Sequence, residues 1–497
     1  MTVAFRADAS SQIGTGHVMR CLALASALKE KAVFLCREYP GHLFEQIESS
    51  GHLLIRLPTP EPPDRAHHDA RDTLAALEKT GGCDWLVADH YAIDACWEES
   101  MRSVSKKIMV IDDLSDRNHD CDLLLDQNLH AQNRYNELTP STCIKLLGPQ
   151  YALLRPEFRQ ARANLRAREG KFERILVFFG GSDPGNATTR ALEAIQGLEA
   201  TDLAIDVVAG NANPHLEDIR QSCESMPGAI FHRQAKNMQE LMMEADLAIG
   251  AGGIATWERC CLGLPSIVIS IAPNQESIAQ CAAEFGALRY LGKADEVPLA
   301  DIIQALKQMM GDRNRLLGMS EKGKSLVDGL GAVRVAHIMN SISQNGILLR
   351  HAFENDARKL FEWRNAPETR RHAFNPDRIA WEDHLAWLKN SLSNPDRHLL
   401  IGEQDHRPIG VLRYDLAGSI AEVSVYLVPG LYGRGLGSRL IEAGTIWAGL
   451  NLPNIATLRA RILTENIASR KAFAKAGYME SNGIYEYHLP SNKQDRT

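Results

Sequence analysis

Short apolar runs alternate with helical stretches along the first third of the chain. KAVFLC, DWLVADHY, KIMVIDDL and DLLLDQNL are runs of this kind. Continuous apolar runs between helices are typical of a parallel sheet that is covered by helices. The pattern begins again near residue 170 with RILVFFGG, LAIDVVAG and PSIVIS. We therefore predict an α/β protein with two doubly wound, Rossmann-like halves, 1–165 and 166–343, and a ligand cleft at the carboxyl ends of the strands.

Two further segments complete the predicted organisation. The charged sequence YALLRPEFRQARANLRAREGKFE, between the two halves, predicts a helical connector. After the polar sequence SISQNG, strands and helices mix, which predicts an α+β domain over 347–497. The composition changes at the same place, because all ten cysteines lie between Cys21 and Cys281 while four of the seven tryptophans follow residue 360. This change indicates a fusion of two ancestries.

Composition and charge exclude several classes of function. The 497 residues carry a formal net charge of −7, which argues against a nucleic-acid-binding protein with a basic surface. No apolar run is long enough to cross a bilayer, and the chain begins with the strand-like TVAF, so we predict a cytoplasmic protein that does not contact the membrane. The cysteines lack metal-ligand spacing, which predicts packed, reduced thiols and no metal. The sequence makes no prediction about the oligomeric state.

The opening sequence RADASSQIGTGHVMRC contains a candidate catalytic histidine. Gly14 and Gly16 lie in a polar loop that leads into an apolar helix, and His17 lies at the junction. Histidine titrates near neutral pH, and a junction above the cleft would bring His17 within reach of a bound water. The same position also suits a histidine that only caps the helix. Tyr91, at the end of DWLVADHY, is predicted to line the cleft and hold the water or a sugar.

Other polar residues end the same predicted strands. Asp89 and His90 precede Tyr91, and Asp112 and Asp113 end the run KIMVIDDL. Each pair can line the cleft, and each is equally compatible with ordinary turn chemistry at a strand end. We assign no catalytic role to any of these four residues.

Two glycine-rich turns in the second half indicate an anion site. FFGGSDPGN contains Gly181 and Ser182, and GAGGIATWE contains Gly253 and Ile254. In both turns, backbone N–H groups and a following helix N-terminus can face a phosphate. One such turn often serves backbone geometry alone, but two in one domain favour a nucleotide diphosphate. Three polar residues add to this prediction: Glu258, able to accept hydrogen bonds from two ribose hydroxyls, and Asn274 and Gln275 in APNQES.

These motifs carry a resemblance to known enzymes. Residues 1 to about 340 resemble nucleotide-sugar enzymes of the GT-B type, and the second half is similar to the N-acetylglucosaminyltransferase that makes lipid II. The first half more closely resembles the UDP-2,4-diacetamido-2,4,6-trideoxy-β-L-altropyranose hydrolases of pseudaminic acid biosynthesis. The motifs that carry this resemblance are FRADASSQIGTGHVMRCLALA, DWLVADHY, IDDLSDR and LLGPQYALLRPEF. The resemblance implies that His17 is the general base. It also places the diphosphate against the glycine turns and Asn274, the ribose on Glu258, and the uracil near Asn237 and Met238.

The last domain contains a third glycine-rich turn. In VSVYLVPGLYGRGLGSRLIEAG, a strand leads through this turn into an amphipathic helix. Amides in the turn would point into one concavity at the helix N-terminus, which suits a pyrophosphate. With ARILTENIASRKAFAKAGY, this sequence resembles the acetyl-CoA site of the GNAT N-acetyltransferases, as do EWRNAPETRRHAF and WEDHLAWL. The resemblance assigns acetyl-CoA binding to Leu427, Gly433, Arg434, Gly435, Gly437, Ser438 and Asn466.

Two positions in this domain depart from the GNAT pattern. Tyr432 replaces the usual Gln or Arg at the head of the turn, which removes one polar contact but leaves the backbone amides. Phe473 stands where a tyrosine often protonates the CoA thiolate, so Tyr478, water or no dedicated acid takes that role. Glu422, on the strand beside the expected acetyl group, is a candidate base, and an outward-facing strand residue is an equal alternative.

The fusion predicts two consecutive reactions on one substrate. In the resembled pathway, a GNAT enzyme acetylates a UDP-4-amino sugar and the hydrolase then removes UDP. We therefore expect a bifunctional N-acetyltransferase and UDP-sugar hydrolase that feeds synthesis of a nonulosonic acid such as pseudaminic acid. The alternatives are a GT-B glycosyltransferase, in which His17 activates an acceptor hydroxyl, and a nucleotide-sugar-binding regulatory module attached to an acetyltransferase.

Overall fold

The protein is described here by a computed structural model of residues 1–59, 65–131, 133–198, 202–344 and 346–489. It forms two compact units, Met1–Ala336 and His337–Thr497. The first unit contains two parallel sheets, and the second contains one mixed sheet. The predicted fold class is therefore confirmed: two Rossmann-like halves of the GT-B type are followed by an α+β domain. The residue limits given above for the three domains stay a prediction.

The first sheet has the strand order β3-β2-β1-β4-β5-β6-β7, and its strands are parallel. Its central strands are buried almost throughout, because strands of a parallel sheet are covered on both faces. The strand order reverses between β1 and β4, so the loops that follow these strands diverge and leave a crevice. The elements are β1 (Val3–Ala7), α1 (Gly16–Leu28), β2 (Val33–Arg37), α2 (Phe44–Ser49), β3 (Leu53–Leu57), α3 (Arg65–Lys79), β4 (Cys83–Asp89), α4 (Ala95–Met101), β5 (Ser105–Ile111), β6 (Leu123–Asp126) and β7 (Ile144–Leu147).

The second sheet repeats this topology with the order β10-β9-β8-β11-β12-β13. Its order reverses between β8 and β11, and the two glycine-rich turns follow these two strands. The elements are β8 (Arg174–Phe178), α6 (Ala187–Gln196), β9 (Ala204–Ala209), α7 (Leu216–Glu224), β10 (Ala229–Arg233), α8 (Met238–Glu244), β11 (Leu247–Gly250), α9 (Ile254–Cys261), β12 (Ser266–Ser270), α10 (Glu276–Phe285), β13 (Arg289–Lys293), α11 (Leu299–Met310), α12 (Arg313–Leu326) and α13 (Gly331–Ser343), which continues into the second unit.

The connector between the halves is less helical than predicted. Helix α5 spans only Pro156–Ala163, and the chain beyond it is not helical up to β8. The Arg168 guanidinium donates hydrogen bonds to the carbonyl oxygens of Met242 and Leu262. The expectation of a long charged helix was therefore wrong, because this arginine binds the segment to the second half instead of extending from a solvated helix face.

The mixed sheet of the second unit has the order β14-β15-β16-β17-β18-β20-β19. Strands β17 and β18 are parallel and pair only from Ile420 to Glu422, whereas β17 continues to Leu427 beside β16. The two strands therefore separate beyond Glu422. The elements are β14 (Leu348–His351), α14 (Ala357–Asn365), α15 (Pro367–Arg371), α16 (Trp381–Ser393), β15 (Arg397–Gln404), β16 (Arg407–Ala417), β17 (Ile420–Leu427), α17 (Leu436–Asn451), β18 (Thr457–Arg461), α18 (Ile467–Lys475), β19 (Met479–Ser481) and β20 (Ile484–His488).

The cysteines are free thiols, and eight of the ten are buried. Cys96 is exposed and Cys281 is half-buried, so the expectation that all are packed inside was wrong for these two. Cys96 lies in the first turn of α4, whose buried face is formed by other residues of that helix.

Candidate functional site

His17 lies at the start of α1 and is almost entirely buried. Its Nδ1 atom is 2.6 Å from Oδ1 of Asp89, the last residue of β4. An ionised carboxylate only accepts hydrogen bonds, so Nδ1 carries the proton and donates it to Asp89. The neutral ring then has its lone pair on Nε2, which is the atom that can take a proton from a ligand.

Arg20, one turn further along α1, keeps Asp89 ionised. Its Nε and Nη2 atoms each lie 2.6 Å from a different oxygen of the Asp89 carboxylate. Complete burial by itself would raise the pKa of Asp89, but Arg20 and His17 outweigh it and hold that pKa well below its usual value. Sequence reasoning missed Arg20 and gave Asp89 no catalytic role. The signal available in the sequence was an arginine three residues after His17 in an otherwise apolar helical segment. The structure shows that this arginine is buried.

Tyr91 joins this cluster to the second half of the unit. Its ring packs edge-on against His17, with the centroids 4.8 Å apart. Its hydroxyl accepts a hydrogen bond of 2.8 Å from Asn274 Nδ2 and lies 3.5 Å from Asp113 Oδ2. Burial raises the pKa of Tyr91, so the hydroxyl stays protonated near neutral pH. The structure therefore brings together His17, Tyr91 and Asn274, three of the sequence-predicted site residues.

The opening loop faces the first glycine-rich turn. Gly14 adopts a φ of 84°, and a Cβ atom at Gly14 or Gly16 would enter open space. The Thr15 side chain, between them, lies 3.8 Å from the position that a Cβ atom on Gly181 would occupy. The loop that carries His17 and the turn that contains Gly181 and Ser182 therefore lie on opposite sides of one cleft.

The helix after the first glycine-rich turn does not offer its N-terminus to a ligand. The Asp183 carboxylate accepts hydrogen bonds of 2.9 Å from the backbone N–H groups of Ala187 and Thr188, and one of 2.6 Å from the Thr188 hydroxyl. A carboxylate of the protein thus occupies the position expected for a bound anion. The expectation that this helix N-terminus faces a phosphate was wrong. The backbone N–H groups of Gly181 and Ser182 are the donors of this turn that can still face a ligand.

The second glycine-rich turn has a different arrangement. Gly253 precedes α9 with a φ of 75°, no side chain among the described residues caps the helix, and a Cβ atom at Gly253 would meet nothing within 4 Å. Gln275 supports the turn, because its Oε1 accepts hydrogen bonds from the backbone N–H groups of Gly252 and Ile271. The N–H groups of Ile254 and Ala255 are therefore left for a ligand at the cleft, whereas the Thr256 N–H already donates to the Gly253 carbonyl oxygen.

The predicted nucleoside contacts lie on α8 and α9. Glu258 is 9% exposed, and its Oε1 is 3.7 Å from Nη2 of Arg155. Burial raises the pKa of Glu258, while Arg155 opposes that effect. Asn237 precedes α8 and donates a 2.8 Å hydrogen bond to Glu240, and Met238 is buried in the core. Among these side chains, Glu258 is a buried carboxylate beside Arg155, four residues into the helix that follows the second glycine-rich turn.

The third glycine-rich turn leads into α17 in the second unit. Gly433 and Gly435 have φ values of 75° and 72°, and a Cβ atom on either would enter open space. No side chain in the described part of the chain caps α17, while the buried Ser438 hydroxyl donates to the Gly435 carbonyl oxygen. Arg434 is exposed, and Gly437 is half-buried. The amides at the start of α17 therefore form a cradle that suits a pyrophosphate.

The candidate acid and base of this unit are placed differently. Glu422 lies on β17 where β17 and β18 begin to separate, and its carboxylate accepts a 2.5 Å hydrogen bond from Arg461. Tyr478 is 3% exposed, and its hydroxyl lies 3.2 Å from that of Thr445. Burial also raises the pKa of Tyr478. The structure thus brings Glu422 to the opening of the sheet, whereas it keeps the Tyr478 hydroxyl inside the core.

The two remaining predicted acetyl-CoA contacts lie beside this opening. Leu427 is half-buried at the end of β17, the strand that leads into the glycine-rich turn. Asn466 caps α18 by accepting a hydrogen bond from the Ser469 backbone N–H. Asn466 therefore has a structural contact at the position where the sequence predicted a ligand contact.

Within the ranges that the structure describes, no three His, Cys, Asp or Glu side chains are grouped so that they could hold a metal ion. Over the same ranges, every helix is too short or too polar to cross a bilayer.

Comparisons with known proteins agree with the division of the chain. Residues 175–331 match the glycosyltransferase family 28 C-terminal domain, and residues 347–479 match the acetyltransferase (GNAT) domain. The UDP-2,4-diacetamido-2,4,6-trideoxy-β-L-altropyranose hydrolase of Campylobacter jejuni is 30% identical over 289 residues, which cover 58% of this chain and 97% of that protein.

Two further relatives cover more of the chain. The spore coat polysaccharide biosynthesis protein SpsG of Bacillus subtilis is 27% identical over 70% of this chain and all of its own length. An uncharacterised protein of Methanocaldococcus jannaschii is 24% identical over 98% of this chain and all of its own length. The second of these alignments spans both the nucleotide-sugar module and the acetyltransferase domain.

Proposed function

Because this chain belongs to the family of the UDP-2,4-diacetamido-2,4,6-trideoxy-β-L-altropyranose hydrolases and carries a GNAT acetyltransferase domain, we propose that it performs two consecutive reactions on one UDP-sugar. The acetyltransferase acetylates a 4-amino precursor, and the hydrolase then releases UDP and the free diacetamido sugar for nonulosonic acid synthesis. The observation that carries the hydrolase assignment is the 2.6 Å contact between His17 Nδ1 and Asp89 Oδ1.

The hydrolysis needs a base for water and a stabilised leaving group. His17 Nε2 accepts one proton from the water while the water oxygen bonds to the anomeric carbon. The bond between that carbon and the diphosphate oxygen breaks, and UDP departs with the bonding electrons. The resulting imidazolium is stabilised by Asp89, whose carboxylate is already oriented by Arg20. This charge arrangement is the reason for assigning His17 a catalytic role rather than a capping role.

The leaving group is held by the second half. The uncapped N-terminus of α9, with Gly253 and Ile254, supplies N–H donors and a favourable helix dipole for the diphosphate. The Asn274 side chain contributes another donor close to the Tyr91 hydroxyl. The remaining contacts of UDP in this proposal are the amides of Gly181 and Ser182 for phosphate, Glu258 for the ribose, and Asn237 and Met238 for the uracil.

The acetyltransferase reaction occurs in the second unit. Acetyl-CoA supplies the acetyl group when its pyrophosphate lies on the amides at the start of α17. The opening between β17 and β18 gives the acetyl group a place beside Glu422. The amine nitrogen bonds to the acetyl carbonyl carbon, the C–S bond of the thioester breaks, and Glu422 takes the proton lost by the amine. Arg461 must then release part of its contact with Glu422. Water protonates the thiolate, because the Tyr478 hydroxyl is buried.

The test is to replace His17 in the full-length chain and follow both reactions by NMR. We expect His17→Asn to slow UDP release by at least about a hundredfold, the usual scale of general acid–base assistance, while acetylation of the 4-amino sugar persists. His406→Asn, in an exposed turn of the second unit, is the matched control and should leave both rates unchanged. Near-normal UDP release from His17→Asn would restrict His17 to a structural role.

The same assay separates the alternatives. A hydrolase releases free sugar and UDP in the absence of any acceptor. A glycosyltransferase, which the match to glycosyltransferase family 28 keeps as the second candidate, requires an acceptor hydroxyl for release. A regulatory module would bind UDP-sugar and release neither product.

A further inference from the structure

A buried carboxylate beside His17 has too few hydrogen bonds. Asp113 follows β5, and its side chain is 7% exposed. Its Oδ2 has contacts only at 3.5 Å, with Arg20 Nη1 and with the Tyr91 hydroxyl, and its Oδ1 has no hydrogen-bond partner within the described ranges. A carboxylate removed from water normally receives several short hydrogen bonds. Asp113 therefore lacks a donor at the place where the cleft holds Tyr91.

A second buried atom that lacks a partner lies in the neighbouring loop, where Arg134, four residues after His130, donates a 3.2 Å hydrogen bond to the Asp113 carbonyl oxygen. His130 Nε2 has no hydrogen bond to any residue that the structure describes, while Nδ1 lies 3.7 Å from Sγ of Cys281 on α10. Burial and the charge of Arg134 lower the pKa of His130 to about 4, although Asp113 opposes them, so the ring is neutral. Burial raises the pKa of the Cys281 thiol, which keeps its proton and can donate it to Nδ1. The ring proton is then on Nε2, where it is a free donor.

Asp113 and His130 together offer one acceptor and one donor. An acetamido group has the complementary pair, an N–H donor and a carbonyl acceptor. Asp113 is also close to the reaction centre, because Arg20 and Tyr91 contact both Asp113 and His17. We infer that Asp113 and His130 form a subsite for the C4 acetamido group of the sugar, the group that the acetyltransferase reaction makes. Asp113 accepts its N–H, and His130 donates to its carbonyl oxygen. This inference rests on the proposed hydrolase function and names the recognition element of that site.

Recognition at this subsite favours hydrolysis after acetylation over hydrolysis before it. The free 4-amino group is a cation at neutral pH and has donors but no acceptor. It could pair with the Asp113 carboxylate, but it would leave the buried His130 N–H without an acceptor and close to a positive charge. A site whose buried polar groups are left unpaired rejects the wrong substrate more strongly than a site that only lacks apolar contacts. We therefore expect the acetylated sugar to be hydrolysed in preference to the unacetylated precursor.

The experiment measures sugar binding separately from hydrolysis. In full-length protein with His17→Asn, which slows turnover, calorimetry gives the Kd values of UDP and of the intact UDP-diacetamido sugar. We expect Asp113→Leu and His130→Phe each to weaken binding of the UDP-sugar about tenfold to a hundredfold, with the Kd of UDP changed less than about twofold. Asp116→Asn is the matched control, because the Asp116 carboxylate lies in the same loop but is 59% exposed, with an ion pair to its neighbour Arg117.

A kinetic measurement with His17 intact completes the test. The ratio of kcat/KM for the diacetamido sugar to that for the 4-amino sugar should fall at least about tenfold in His130→Phe and stay unchanged in Asp116→Asn. Equal weakening of UDP and UDP-sugar in the calorimetry, or a preference for the 4-amino sugar in the unmodified protein, would overturn the subsite. Tight, Asp113-dependent binding of the UDP-sugar without hydrolysis would contradict the proposed reaction but support the subsite.

Discussion

The substitution Asp89→Asn tests whether the buried ion network of α1 serves catalysis as well as folding. Arg20 donates to both oxygens of Asp89, and His17 donates to one of them. An amide has only one oxygen, so its NH2 group takes the place of either Oδ1, which faces His17 and Arg20 Nη2, or Oδ2, which faces Arg20 Nε. In the first orientation His17 Nδ1 becomes an acceptor and the ring proton moves to Nε2, the atom needed as the base. In both orientations the NH2 group meets an N–H of Arg20, so two donors face each other in a buried site.

The cost to stability is estimated from the partners that remain. Breaking a buried ion pair by neutralising one member costs about 3–5 kcal/mol, because the other charge stays buried. Arg20 is 5% exposed, but it keeps Asp113 as a second partner at 3.5 Å, so we expect the lower limit, about 3 kcal/mol. UDP release should slow by about a hundredfold or more, because the base loses its orientation and its counter-charge.

Denaturant unfolding and UDP release measure these two effects separately. The matched variants are Arg20→Met and the double variant Arg20→Met/Asp89→Asn. The double variant removes both buried charges. The sum of the stability losses of the two single variants should exceed the loss of the double variant by about 1–3 kcal/mol, since the two residues are in direct contact. Turnover should not return in the double variant. Turnover within threefold of normal in a destabilised Asp89→Asn protein would refute a catalytic role for the network.

Three other predictions concern binding and pH. Glu258→Ala should raise KM for the UDP-sugar at least about tenfold while kcat changes little, because the ribose is remote from the broken bond; steady-state kinetics in which only kcat falls would contradict this. Gly435→Val should abolish acetyl-CoA binding in calorimetry, because a side chain is strained at a φ of 72° and occupies the space in front of the amides, while the acetylated sugar is still hydrolysed. Loss of both activities in folded protein would instead show that the sites are coupled. Burial would raise the pKa values of Asp69 and Asp89, but Arg6 and Arg20 hold both pKa values below the ordinary 3.8. The contribution of these ion pairs to the free energy of unfolding is therefore complete above about pH 5 and is lost as pH falls through 3.8 and below. Equal urea midpoints at pH 7 and pH 3 would contradict this.

The sequence predicted the elements that depend on local pattern. Apolar runs identified the parallel sheets, and glycines before helices identified the turns at the cleft, because both signals lie within a few residues. His17 was found for the same reason, as part of a distinctive loop. Arg20 and Asp89, in contrast, are 69 residues apart and meet only when β4 pairs with β1.

The Asp183 contacts were missed for a different physical reason. A glycine-rich turn before a helix looks the same in sequence whether an external anion or a nearby carboxylate of the protein receives the N–H groups. The backbone at Asp183, with a φ of 39°, directs its side chain back to Ala187 and Thr188, and this geometry cannot be deduced from composition. The buried position of Tyr478 similarly depends on its contacts with Thr445 of α17, Phe473 of α18 and Tyr487 of β20, which local periodicity does not contain.

Arg20 has a consequence for how such an enzyme can change. One guanidinium contacts the carboxylate that orients the base and also the carboxylate that we assign to sugar recognition. A substitution at Asp113 that admits a different sugar therefore alters the electrostatic surroundings of Asp89 and His17 at the same time. Substrate preference and turnover are not independent traits in this architecture. Variants selected for a new sugar should acquire compensating changes around α1, and a library that varies the sugar contacts alone should yield mostly slow enzymes.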